Sequence, residues 1–326
     1  MVYVQLVGGL VLLLLCGDLF VRGAVGIAER LKVSPLVIGL TLVGFGTSLP
    51  ELFSSLEAAR QGSPAIAVGN VVGSNIANVL LILGLAGLVA PIAAKPGTFR
   101  LNGPSLVGAS VLAVAVFFLG EIGRWWGGLF VALLLAYTLT AYWRGRHGLG
   151  DDGMGELAAE VDSVPPRGAS FLLYGVFAVA GLAGIVLGAN LLIGSAVTMA
   201  RQFGISETVI GLTVVAVGTS LPELATSVIA ALRRHGDVAL GNVIGSNIFN
   251  LLGILGVTAL YTPIPVARAI VAFDSWIMLA ATGLLILFSM TRARLERWEA
   301  AVLLCGYAGY TAILLSPGPR AALGLD

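Results

Sequence analysis

Gly46-Thr47-Ser48-Leu49-Pro50-Glu51 and Gly218-Thr219-Ser220-Leu221-Pro222-Glu223 are the same hexapeptide, 172 positions apart (223 less 51). The match extends outward on both sides. Residues 39–92 align without a gap to residues 211–264 at that offset, and thirty of the fifty-four positions are identical. A second shared block follows the first: Gly69-Asn70-Val71-Val72-Gly73-Ser74-Asn75-Ile76-Ala77-Asn78 against Gly241-Asn242-Val243-Ile244-Gly245-Ser246-Asn247-Ile248-Phe249-Asn250. A long internal repeat means that one structural unit occurs twice.

The solvent of that unit is lipid. The chain of 326 residues is 58% hydrophobic and 11% charged, with a mean hydropathy of +0.99. Soluble domains carry about 25% charged residues. Ten apolar runs fall at 3–28, 35–60, 65–90, 101–120, 125–143, 171–200, 207–232, 238–262, 271–290 and 298–315. At about 20 residues per crossing, these predict an all-α membrane protein of ten transmembrane helices. The first run lacks a positive leader and a cleavage site, so it reads as a retained span. The polar stretch 147–169, with five acids and Pro165-Pro166, reads as a linker. The chain then divides into 1–146, the linker, and 170–326, with five spans in each half. Five is odd, so the halves enter the membrane in opposite senses. Inverted repeats of this kind place a substrate site near the midplane, between the halves.

Loop charge gives the sidedness. With ten spans and the N-terminus outside, the inner loops hold twelve Lys/Arg and the outer ones five. The positive-inside rule therefore puts both termini outside and the linker in the cytoplasm. A net charge of +1 offers no field for nucleic acid. Cys16 and Cys305 both lie in apolar runs and act as small hydrophobes rather than as a disulfide framework. His147 and His235 fall in loops without metal-ligand spacing. No cofactor loop or nucleophile–base pair is present, and nothing calls for an obligate protein partner.

Glu51 and Glu223 lie deep in apolar runs, where a carboxylate costs a few kcal/mol or more unless paired or hydrated. On a helix, Thr47 and Glu51 share a face and Ser48 lies beside them. Pro50 has no N–H, so a backbone carbonyl in the preceding turn loses its partner. Gly44 and Gly46 loosen the same turn. Carbonyls at Gly44 and, in the second copy, Ala216 join Thr47, Ser48, Thr219, Ser220 and the two glutamates in an oxygen-rich set. Hard cations take such sets, six to eight oxygens for Ca²⁺. Ser74 and Asn78, four apart, face one way, and Ser246 and Asn250 repeat them. Asn70, Asn75, Asn242 and Asn247 lie off that face and read as bonds between helices. Asp18 reads as a structural partner of Arg22.

The two motif pairs resemble the α1 and α2 repeats of the calcium/cation antiporter superfamily, the prokaryotic sodium/calcium exchangers above all. The resemblance implies a plasma (inner) membrane antiporter that exchanges Ca²⁺ for Na⁺ by alternating access. It implies four central cation positions with Thr47, Ser48, Glu51, Ser74, Asn78, Thr219, Ser220, Glu223, Ser246 and Asn250 as ligands. It also implies that the first and sixth helices slide against the other eight. One position departs from the pattern: Asn250 stands where many such exchangers carry Asp. A proton/calcium exchanger using the same glutamates is the alternative. A channel is more remote, because the broken helices converge on one midplane site rather than line a continuous pore.

Overall fold

A computed structural model describes residues 2–31, 35–93, 96–146, 170–202, 218, 220–291 and 294–316. They are nearly all helical. Among the described residues, seven helices are long and apolar enough to cross a membrane: Val2–Leu31, Ala65–Val89, Arg124–Arg144, Phe171–Ser195, Gly236–Tyr261, Ile270–Ser289 and Arg297–Leu315. Two shorter apolar helices, Asn102–Phe117 and Leu221–Leu232, stand among them. The linker 147–169, Thr219 and Ala216 lie outside the described residues.

The order begins with α1 (Val2–Leu31), then α2 (Pro35–Ile38), a π-helical stretch Gly39–Val43, and α3 (Gly44–Thr47). Next come α4 (Leu49–Arg60), α5 (Ala65–Ala77), a π-helical stretch Asn78–Leu83, and α6 (Gly84–Val89). β1 (Ile92–Ala93), α7 (Pro96–Phe117), β2 (Glu121–Ile122) and α8 (Arg124–Arg146) follow. After the linker, α9 (Phe171–Gln202) parallels α1 in length, and α10 (Leu221–Leu232) parallels α4. α11 (Gly236–Ile248), a π-helical stretch Phe249–Ile254 and α12 (Leu255–Tyr261) repeat α5 and its continuation. β3 (Ile264–Pro265), a π-helical stretch Ile270–Asp274, α13 (Ser275–Thr291), β4 (Arg294–Leu295) and α14 (Arg297–Leu315) complete the described elements.

The run 35–60, read as one helix, is broken in the structure. Ser48 sits between α3 and α4 with φ −86° and ψ 5°. Ser220 holds the same conformation before α10, with φ −91° and ψ 10°. In both copies the motif proline then takes the first turn of the new helix, where its missing N–H costs nothing. Each break thus puts the motif's serine at the N-terminal end of the new helix and its glutamate in the first turn.

α5 and α11 form the centre, and most of their side chains are buried. α1 and α9 lie outside this centre and pack against each other through glycine. A methyl group on Gly9 would strike the backbone of Gly188 and Leu192, and one on Gly188 would strike Gly9 and Leu13. Gly184 meets Cys16, Gly181 meets Phe20, and Gly23 meets Ala178. As numbers rise along α1 they fall along α9, so the two helices run antiparallel. Small residues permit this backbone-to-backbone approach. Cys16 is half-buried in that seam, whereas Cys305 is exposed on α14.

Two short bridges tie loops from different parts of the chain. β1 pairs with β4, Ile92 against Leu295, and β2 pairs with β3, Ile122 against Ile264. The expected Asp18–Arg22 pair is present at 2.8 Å, and Arg233 at the end of α10 joins it. That third member links α1 to the second copy and has no signal in the local sequence.

Candidate functional site

The site forms where the breaks before α4 and α10 meet α5 and α11. Thr47, Ser48, Glu51, Asn78, Ser220, Glu223, Ser246 and Asn250 are each at most 2% exposed, and Ser74 is 6% exposed. Glycine brings these elements together. A methyl group on Gly44 would lie 2.8 Å from the backbone nitrogen of Ser246, and one on Gly39 would lie 2.9 Å from the carbonyl of Val238. The stretch 39–44 therefore lies directly on α11. Phe45 and Phe249 stack beside it, with ring centroids 4.9 Å apart.

Hydrogen bonds then position the oxygens. The Thr47 hydroxyl donates to the carbonyl of Val43 at 3.0 Å and lies 3.1 Å from Oδ1 of Asn242. Ser48 donates to Oε1 of Glu223 at 2.9 Å, joining the two copies of the motif directly. Ser246 donates to the carbonyl of Gly44 at 3.0 Å. The same carbonyl also accepts the backbone N–H of Ser48 at 3.3 Å, so each of its two lone pairs has a donor.

Asn70 and Asn242 play matched parts. Nδ2 of Asn70 donates to the carbonyl of Glu51 at 3.3 Å and to the Ser55 hydroxyl at 3.0 Å. Nδ2 of Asn242 donates to the carbonyl of Glu223 at 3.2 Å and to the Ser227 hydroxyl at 2.8 Å. Each asparagine clamps the helix turn that carries a glutamate. The sequence reading had them only as bonds between helices. Ser55 and Ser227 were missed, although both recur at the repeat offset.

The oxygens left over define the centre. Both carboxylate oxygens of Glu51, Oε2 of Glu223, Oδ1 of Asn78, Oδ1 of Asn250 and the Ser220 hydroxyl are buried with no hydrogen-bond partner among the described residues. The two carboxylates lie within electrostatic reach of each other. Buried polar atoms are normally satisfied, and a buried ionised carboxylate without a partner is among the costliest arrangements in a protein. Six such atoms of acceptor type, gathered from α4, α10 and the ends of α5 and α11, suit a bare cation. No described group of three or more His, Cys, Asp or Glu exists that could hold a transition metal. The donor set is hard oxygen throughout, the chemistry of Ca²⁺ and alkali ions rather than of zinc. Ser74 borders a cavity of about 190 Å³ between α5 and α14, together with Asn70, Tyr307 and Tyr310.

His235 stands apart, in the turn before α11. Burial, with Arg233 adding to it, pushes its imidazole below the ordinary histidine range.

Comparison with known proteins gives a consistent result. The sequence profile of the sodium/calcium exchanger proteins matches residues 1–143 and 173–316. The putative antiporter CaxA of Alkalimonas amylolytica is 42% identical over 313 residues, covering 94% of this chain and 97% of that one. The sodium/calcium exchanger MaX1 of Methanosarcina acetivorans is 37% identical over 336 residues, covering 94% and 96%. Among solved structures, the sodium-calcium exchanger NCX_Mj superimposes with a TM-score of 0.82 at 31% identity, covering 97% of this chain and 99% of that one.

Proposed function

The chain belongs to the sodium/calcium exchanger protein family, and from that membership we propose that it is an antiporter exchanging Ca²⁺ for Na⁺ at the site between α4, α5, α10 and α11. The observation that carries this reading is the group of buried, unpartnered oxygens on Glu51, Glu223, Asn78, Asn250 and Ser220. Thr47, Ser48, Ser74, Ser246 and the Gly44 carbonyl complete the ligand set, with Thr219 and the Ala216 carbonyl as their counterparts in the second copy. Ca²⁺ and Na⁺ are the substrates, and the transport needs no cofactor.

Two carboxylates balance one Ca²⁺ or two Na⁺, so the two cations compete for one cage. An empty cage leaves two buried carboxyl groups facing each other without a cation. That state crosses the dry interior with difficulty, and a loaded one does not. Coupling follows: the site changes sides when filled and seldom when vacant.

The ten-span, two-fold inverted threading is part of the proposal, with halves 1–146 and 170–326 and the plasma (inner) membrane as the location. Two features support it. That threading puts β1 and β4 on one membrane face and β2 and β3 on the other, and these are the pairs that hydrogen-bond. It also requires the first helix of each half to run in opposite senses, as α1 and α9 do. The Lys/Arg distribution supports an orientation with both termini outside.

Reconstituted protein decides the coupling ion. Radiolabelled Ca²⁺ uptake into proteoliposomes is expected under an outward Na⁺ gradient and not without a gradient. Uptake driven by an outward H⁺ gradient alone would replace the Na⁺ reading with a proton/calcium exchanger. Uptake with no counter-ion would point to a channel.

A further inference from the structure

We propose that Asn75 and Asn247 are positioning residues that force the amide oxygens of Asn250 and Asn78, rather than their nitrogens, toward the transported cation. The inference rests on the reading above that Asn78 and Asn250 are ion ligands. The four asparagines are at most 2% exposed and stand where α5 and α11 cross. Their bonds run in two matched chains.

One chain starts at the backbone carbonyl of Asn247. A carbonyl can only accept, so the amide end of Asn75 that faces it must be the NH₂ group, and Nδ2 of Asn75 donates there at 3.3 Å. Met278 sulfur, 3.8 Å away, is a second weak acceptor for the same group. Oδ1 of Asn75 is then turned the other way, toward Asn250. It too can only accept, so Asn250 must present its own NH₂ group, and does so at 3.1 Å. The remaining atom of Asn250 is Oδ1, which is buried and meets no donor among the described residues.

The other chain is the mirror of the first. Nδ2 of Asn247 donates to the carbonyl of Asn75 at 3.5 Å. Oδ1 of Asn247 accepts from Nδ2 of Asn78 at 3.0 Å. Oδ1 of Asn78 is left buried and without a described donor. In each chain a backbone carbonyl, whose polarity no rotation can change, decides through two amides which atom faces the ion. An asparagine without such a relay can turn its NH₂ group inward, where it repels a cation. The relays cross between the halves: Asn75 sets Asn250, and Asn247 sets Asn78.

The crossing supplies the test. Binding of radiolabelled Ca²⁺ to the purified full-length protein is measured for Asn75→Ala, Asn250→Ala, Asn78→Ala and the doubles Asn75→Ala/Asn250→Ala and Asn75→Ala/Asn78→Ala, with melting temperatures as the control for folding. Asn75→Ala is expected to weaken binding by roughly three- to tenfold, the scale of one orienting hydrogen bond. Asn75→Ala/Asn250→Ala should bind no more weakly than Asn250→Ala alone, because the relay has lost its object. Asn75→Ala/Asn78→Ala should show both losses multiplied. Full multiplication in the Asn75/Asn250 double as well would overturn the positioning role. Unchanged binding by Asn250→Ala would instead remove Asn250 from the ligand set, a different failure. Should Asn75→Ala not fold, Asn247→Ala with Asn78→Ala and Asn250→Ala gives the mirror of the same comparison.

Discussion

Glu51 keeps neither of its buried carboxylate oxygens bonded among the described residues, whereas Glu223 keeps one bonded to Ser48. The two carboxyl groups are thus bonded differently among the described residues, and on the proposed reading the unpartnered one is a liability until a cation arrives. Glu51→Gln should therefore have two opposite effects. The ion-free protein should melt higher, because an uncompensated buried charge is gone. Ca²⁺ should no longer raise the melting temperature, and exchange should fall by at least about a hundredfold, the scale of losing one charged partner from a buried pair. Thermal melts with and without Ca²⁺, together with flux, check both effects. Normal transport by the Gln variant would take Glu51 out of the site. The glutamates and hydroxyls were legible in the sequence because an expensive group recurred at one offset. Asn75 and Asn247 were legible only as polar residues between helices. Their effect on Asn250 and Asn78 depends on contacts 175 and 169 residues apart, which no local pattern encodes.

At the scale of elements, the helix over 35–60 proved to be pieces, and this is where sequence periodicity runs out. An apolar run gives no sign of a π-helical stretch, which alters the hydrogen-bond ladder while leaving hydropathy unchanged. The motif proline marked the break but not its residue, which is Ser48. The α1–α9 seam was equally hidden, since scattered glycines in a span read as weak helix formers until their partners are known. Replacing Gly188 by Leu should overpack the seam against Gly9 and Leu13 and cost about 1–3 kcal/mol, with exchange reduced more than folding. Flux compared with melting temperature measures the split, and a variant as active as the parent would show that the seam has room. Arg233→Ala, by contrast, removes an ion pair whose members are 37% and 25% exposed. Its stability change should stay within about 1 kcal/mol, read from the same melts.

At the scale of the whole molecule, the sequence showed that the chain is helical and apolar enough to cross a membrane several times. The internal match of fifty-four residues implies two copies, and an odd number of spans in each half, part of the proposed threading, implies their inversion. The β1–β4 and β2–β3 bridges were not legible, because two-residue strands leave no pattern. For sidedness, a cysteine placed in the 147–169 linker should resist an impermeant thiol reagent in intact cells and react after permeabilisation. Labelling in intact cells would reverse the orientation. The antiparallel seam between α1 and α9 has one more consequence. Two helices joined backbone to backbone along most of their length behave as a single beam laid across the molecule. Under the proposed threading their equivalent ends point to opposite sides of the bilayer, so rocking that lifts the beam from the core at one end would press it down at the other. On the proposed antiporter reading, such rocking would need no separate signal to shut the far side before the near one opens, because one movement does both.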